Sequence, residues 1–151
     1  MSLQLQINEE LKAALKEKKE PDLSTLRMLK ADIQYELTKT GNSTIPDDLV
    51  LTIIKKNLSK RKESASEYRK ANRIDLAEKE EVEAKFLEKF IPPSLPEEEI
   101  RKVILKAVES MGAKSPSDAG KVIGKVMGEL KGKNVEGSLV SRLVKSILNG
   151  N

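Results

Sequence analysis

The chain has no cysteine, no histidine and no tryptophan, and its 151 residues include only two tyrosines and two phenylalanines. Without Cys and His there is no disulfide, no zinc-finger ligand set, no thiol nucleophile, no Ser-His-Asp triad and no imidazole to carry protons near neutral pH. Any catalysis would have to rest on Lys, Asp, Glu, Ser or Tyr. The carboxylates fall on amphipathic faces and offer no acid–base pair, and clusters such as Glu80 and Glu81 read as solubilising. No catalytic residue, metal ligand or cofactor is assigned. No apolar run approaches the roughly 18 residues of a membrane span. The opening MSLQLQINEELKAALKEKKE carries acids early and no cleavage-type pattern. The expectation is a protein of the cytoplasm with no membrane partner.

What is present is charge and helix-forming sequence. Charged residues make up 34% of the chain and hydrophobic ones 38%, enough for one ordinary domain or two small ones. The net charge of +4 is unevenly spread: the balance is −2 over residues 1–54, +6 over 55–73, −6 over 75–99 and +6 over 100–151. A basic block and a basic C-terminal third suit a polyanionic partner, although the acidic block can consume much of the first. The run KKNLSKRKE, with Lys55, Lys56, Lys60, Arg61 and Lys62, reads as a solvated helix face.

Apolar residues recur at helical spacing and no alternating run of strand length stands out, so the fold class is all-α. Leu3, Ile7, Leu11 and Leu15 mark a first helix that stops before Pro21 and Asp22. A second runs from about Leu23 to Lys39 and ends at Gly41. The third extends from about Asp47 to Ala71, after which Asn72 takes the left-handed C-terminal position and Asp75 caps a fourth helix that stops before Pro92. The linker IPPSLP, with three prolines in six residues, sets a boundary between an N-terminal four-helix domain, 1–92, and a small C-terminal three-helix bundle, 96–151. In the second domain Pro96 and Glu97 to Glu99 start a helix, Ser115, Pro116 and Asp118 start the next, and the last spans about Glu136 to Leu148.

The sixth helix carries GKVIGKVMG, a glycine at every fourth position from Gly120 through Gly124 to Gly128. Each interior glycine costs roughly 1 kcal/mol against alanine, so the missing side chains must serve something. At about 100° per residue from Val122, the residues Val126, Leu130, Ile123 and Met127 span roughly 0° to 140°. Gly120, Gly124 and Gly128 fall at roughly 160°, 200° and 240°, and Lys121 and Lys125 lie beyond them. Two readings follow: a bare sector that admits a neighbouring helix, or one that admits a phosphodiester backbone with the lysines supplying charge. A P-loop is excluded, because G-x-x-x-x-G-K-[ST] needs a five-residue step. Lys131 and Lys133 in KGKNVEG add charge at the far end. The candidate RNA-binding residues are therefore Gly120, Lys121, Gly124, Lys125, Gly128, Lys131 and Lys133. With few aromatics, and Phe86 and Phe90 spaced as core residues, base stacking is not expected; if nucleic acid is bound, the expectation is folded RNA read by shape and backbone.

The stretches STLRMLKADIQYE, KRKESASEYRKANRIDLAEKEEVEAKFLEKFIPPSLPEEEI and DAGKVIGKVMGELKGK followed by GSLVSRLVKSIL resemble the GatB/YqeY family over nearly the whole chain. The specific part is the pattern of Arg73, Asp75, Leu76, Lys79 and Glu80 with its hydrophobic-Pro ending. The resemblance is to the stand-alone members, related to the helical tail of the B subunit of tRNA-dependent amidotransferases, which grips tRNA. It implies an all-helical two-domain protein and tRNA, or an amidotransferase or translation-related protein, as partner. It covers none of the kinase-like or amidase parts. A label of carbon-nitrogen ligase with glutamine as amido-N-donor would thus describe an association, with a protein-interaction adaptor as the further alternative. Two departures are Asn72, where the family commonly has glycine, and the KNVEG loop.

Overall fold

In a computed structural model, which describes residues 1–150, seven α-helices and one short 3-10 turn account for the regular structure, and the described residues form no strand. The chain divides into two compact units, one of Met1–Ile91 and one beginning at Pro92.

The first unit holds α1 (Leu3–Glu17), α2 (Asp22–Thr40), α3 (Asp47–Lys70) and α4 (Ile74–Glu88). Ser2 caps α1, its hydroxyl accepting from the Leu5 amide at 3.2 Å, which satisfies one of the orphan donors of the first turn. The first leucines keep a four-residue step, and that step advances about 400° each time, so the row drifts about 40° per turn off the core. Leu15 accordingly ends up 46% exposed and Ala14 takes its place inside, contrary to the simple periodic reading. Gly41 closes α2 in the left-handed conformation, its amide donating to the Leu37 carbonyl at 2.8 Å. Asn72 does the same work between α3 and α4 at φ 58°, as its short polar side chain permits. Asp75, however, is no cap: Arg73 occupies that position without a side-chain cap, and Asp75 lies inside the first turn, 3.6 Å from the Arg73 guanidinium. Ile7, Leu26, Leu29, Val50, Ile54 and Leu87 are fully buried in the core. Each contributes on the order of 1.5–3 kcal/mol relative to exposure. Phe90 is buried and meets Phe86 edge-on at 5.7 Å, so these two rings belong to the core.

The second unit holds α5 (Glu97–Met111), the 3-10 turn Pro116–Asp118, α6 (Ala119–Glu129) and α7 (Gly137–Leu148). Ile100, Ile104, Val122, Val126, Val140 and Val144 form the buried centre. The segment before α5 is tied to the loop after α6: the Leu95 amide donates to the Asn134 carbonyl at 3.1 Å and Asn134 Nδ2 to the Pro92 carbonyl at 2.9 Å. These bonds fix the loop that bears Lys131 and Lys133.

Candidate nucleic-acid interface

The N-terminal end of α6 is built from Ser115 and Asp118. Asp118 Oδ2 accepts the Lys114 and Ser115 amides at 3.1 and 3.3 Å, a reciprocal capping arrangement that the Ser-Pro-Ser-Asp sequence predicts. These backbone donors hold the Asp118 carboxyl below its usual range, and the Lys121 charge adds to the effect. Because the turn is fixed, the register of α6 is fixed, and Ala119, Val122, Val126 and Leu130 point inward.

The outward side is the glycine sector. Gly120, Gly124 and Gly128 are all exposed, and a methyl group built at any of the three would meet nothing within 4 Å. The reading in which these glycines admit a neighbouring helix finds no such helix within the second unit, where the sector faces open space. Lys121 and Lys125 are exposed beside it, and Lys125 Nζ donates to Ser110 Oγ of α5 at 3.1 Å. No carboxylate lies within ion-pairing distance of either lysine among the described residues. The face therefore combines bare backbone with two lysines outside any ion pair among the described residues.

Five of the seven candidate residues, Gly120, Lys121, Gly124, Lys125 and Gly128, thus lie on one helix face. Lys131 and Lys133 are exposed in the turn just past α6, where cations also complement the negative end of the helix dipole. Ser110 was missed by sequence reasoning, and no local signal points to it, since it is 15 residues from Lys125. The basic run of α3 needs a correction. Arg61 is buried, bound to Glu83 and to Glu80, and so does not face water. Its helical angle, roughly 20° from Val50 and next to Ile54, is the signal that could have shown this.

No group of three Asp or Glu residues among those described is placed to hold a metal ion. No helix among them is long and apolar enough to cross a membrane.

These features define a class: a small all-helical protein of two units, the second presenting an open, glycine-lined cationic helix. The chain belongs to the Yqey-like protein family, whose model matches residues 4–148. Among its relatives is the protein of Pyrenophora tritici-repentis named altered inheritance of mitochondria protein 41, mitochondrial. It is 30% identical over 141 residues, covering 92% of this chain and 77% of that protein. An uncharacterized protein of Schizosaccharomyces pombe is 37% identical over 91 residues, covering 60% of this chain and 73% of the other.

Proposed function

We propose that this chain is a stand-alone tRNA-binding module that grips the phosphodiester backbone along the glycine sector of α6, with no catalytic centre of its own. The observation that carries the reading is the open sector itself. Three helical glycines, Gly124 in mid-helix and Gly120 and Gly128 in the first and last turns, leave space that no residue of the second unit fills, and Lys121 and Lys125, outside any ion pair among the described residues, border them. A bare backbone lets a phosphate approach closely, and the lysines release counterions when it does. Gly128 extends the sector toward Lys131 and Lys133, whose loop supplies further charge. Shape and backbone contacts of this kind suit a folded RNA. The same proposal makes an amidotransferase or another translation-related protein the neighbour of the bound tRNA, and the cytoplasm the place of action. The mitochondrial designation belongs to the Pyrenophora relative.

Filter binding of bulk tRNA across a salt series tests the reading. Affinity should fall with salt, with a log-log slope growing by roughly 0.7 to 0.9 per phosphate contact. The variant Lys121→Glu with Lys125→Glu should bind markedly less. No binding at low salt, or binding unchanged in that variant, refutes the proposal.

A further inference from the structure

Of the eight basic residues between 55 and 73, four are committed to carboxylates. Arg61 binds Glu83 and Glu80, Lys62 binds Glu88, Arg69 binds Glu81 and Arg73 binds Asp75. Lys55, Lys56, Lys60 and Lys70 have no such partner among the described residues. The acidic block that follows thus neutralises half of the basic one and leaves the rest.

The remainder is not scattered. Counting about 100° per residue from the buried Val50, Lys55, Ser59, Lys56 and Lys60 fall at roughly 140°, 180°, 240° and 280°. The buried Ile54 and Arg61 lie on the opposite side, at roughly 40° and 20°. Asp48 precedes them on the outer face and Glu63 and Glu67 follow, so the stretch from Lys55 to Lys60 itself carries three lysines and no acid. Lys56 and Lys60, four residues apart, repel each other, and like charges at that spacing weaken a helix. A bound anion relieves this repulsion. Ser59 is exposed between the lysines, its hydroxyl unused by any described residue and available to donate.

We infer that the outer face of α3 at Lys55, Lys56, Ser59 and Lys60 is a second phosphate-contacting surface for RNA, so that the first unit as well as the second holds the ligand. The inference rests on the RNA-binding reading of α6 and assigns the first unit a share in it. Anionic membrane is the other polyanion such lysines meet, but a membrane-surface helix lays an apolar face into the bilayer. The apolar face of α3 is spent in the core, and no large hydrophobic residue of α3 is exposed.

The test compares three full-length proteins with bulk tRNA over a salt series: wild type, Lys55→Glu/Lys56→Glu/Lys60→Glu, and Lys121→Glu/Lys125→Glu. Circular dichroism checks folding, and a triple Lys→Gln version replaces the first variant if the Glu version is unfolded. The α3 variant should bind more weakly, with a log-log salt slope reduced by roughly 2 to 3 for three lost phosphate contacts. That loss supports the second surface whatever the α6 variant does. An α3 variant that binds as wild type while the α6 variant fails overturns the inference and leaves the α6 reading standing. A wild type that binds no tRNA overturns both. Loss of binding to phosphatidylserine vesicles in the α3 variant, with tRNA binding unchanged, overturns the inference in favour of a membrane surface.

Discussion

Arg61 of α3 donates from Nη1 to Oε2 of Glu83 of α4, and both residues are buried, at 8% and 5% exposure. The same Nη1 lies 3.3 Å from Glu80 Oε2, Nη2 meets the Met28 sulfur at 3.3 Å, and Nε has no partner among the described residues. Next to it Asn57 Nδ2 donates to Asp32 Oδ2 at 2.9 Å. A polar cluster therefore sits where α2, α3 and α4 meet, below the apolar core.

Buried ion pairs are expensive to break and cheap to replace. Removing one partner leaves a desolvated charge, at a cost of about 3–5 kcal/mol, whereas an apolar pair of similar volume is often neutral or better. Arg61→Ala or Glu83→Ala should lower stability by about that amount in urea unfolding, and Arg61→Met with Glu83→Leu should recover most of it. Equal losses in the double and single variants would show that the pair gives more than mutual compensation.

Asn72 tests the turn that reverses the chain between these two helices. At φ 58° a side chain with Cβ is strained by roughly 1–2 kcal/mol, less so for Asn, and not at all for Gly. Asn72→Ala should destabilise the first unit by about 1 kcal/mol, and Asn72→Gly should not. A Gly variant that unfolds as readily as the Ala variant would point to a role for the Asn side chain itself.

The cap of α6 makes stability depend on acid. Backbone amides of Lys114 and Ser115 hold the folded Asp118 carboxyl below its ordinary 3.8, so between the two values the unfolded chain binds more protons. The contribution is fully present above the ordinary value and is lost as pH falls through the lower, folded one. Glu81, held down by Arg69 in the first unit, acts in the same direction. Asp118→Asn should flatten the acid limb of the stability–pH curve of the second unit. An acid limb identical to wild type would refute the assignment.

How far the sequence could be read follows from what kind of contact each feature uses. Helices set by local spacing and by Pro, Gly and Asn punctuation were legible, as was the Ser115–Asp118 cap, because every partner lies within one turn. Leu15 misled because a four-residue step is not the helical period. Asp75 misled because two cap-like signals, Asn72 and Asp75, stand close together and the chain turns on the first. Arg61 reads as part of a solvated basic run and Glu80 as solubilising, since only the packing of α4 on α3 brings Arg61 to Glu80 and Glu83. The openness of the glycine sector was the least legible feature: spacing separates the glycines from the core, but only the placement of α5 and α7 shows that neither covers them.

That openness separates folding from function at a single position. Gly124 lies mid-helix, exposed, with clear space where a methyl group would go. If the glycine served packing, Gly124→Ala would destabilise. With nothing to clash against, the helix-propensity gain should dominate, and the variant should be more stable than wild type by up to about 1 kcal/mol. Under the proposed function the same methyl group stands between the helix backbone and an approaching phosphate, so tRNA affinity should fall while stability rises. Gly124→Ala combined with Gly128→Ala should extend both trends. Urea unfolding and tRNA binding on the same preparations read the two effects. A variant that is stabilised and binds tRNA as wild type would remove the glycines from the interface and leave the lysines as its argument.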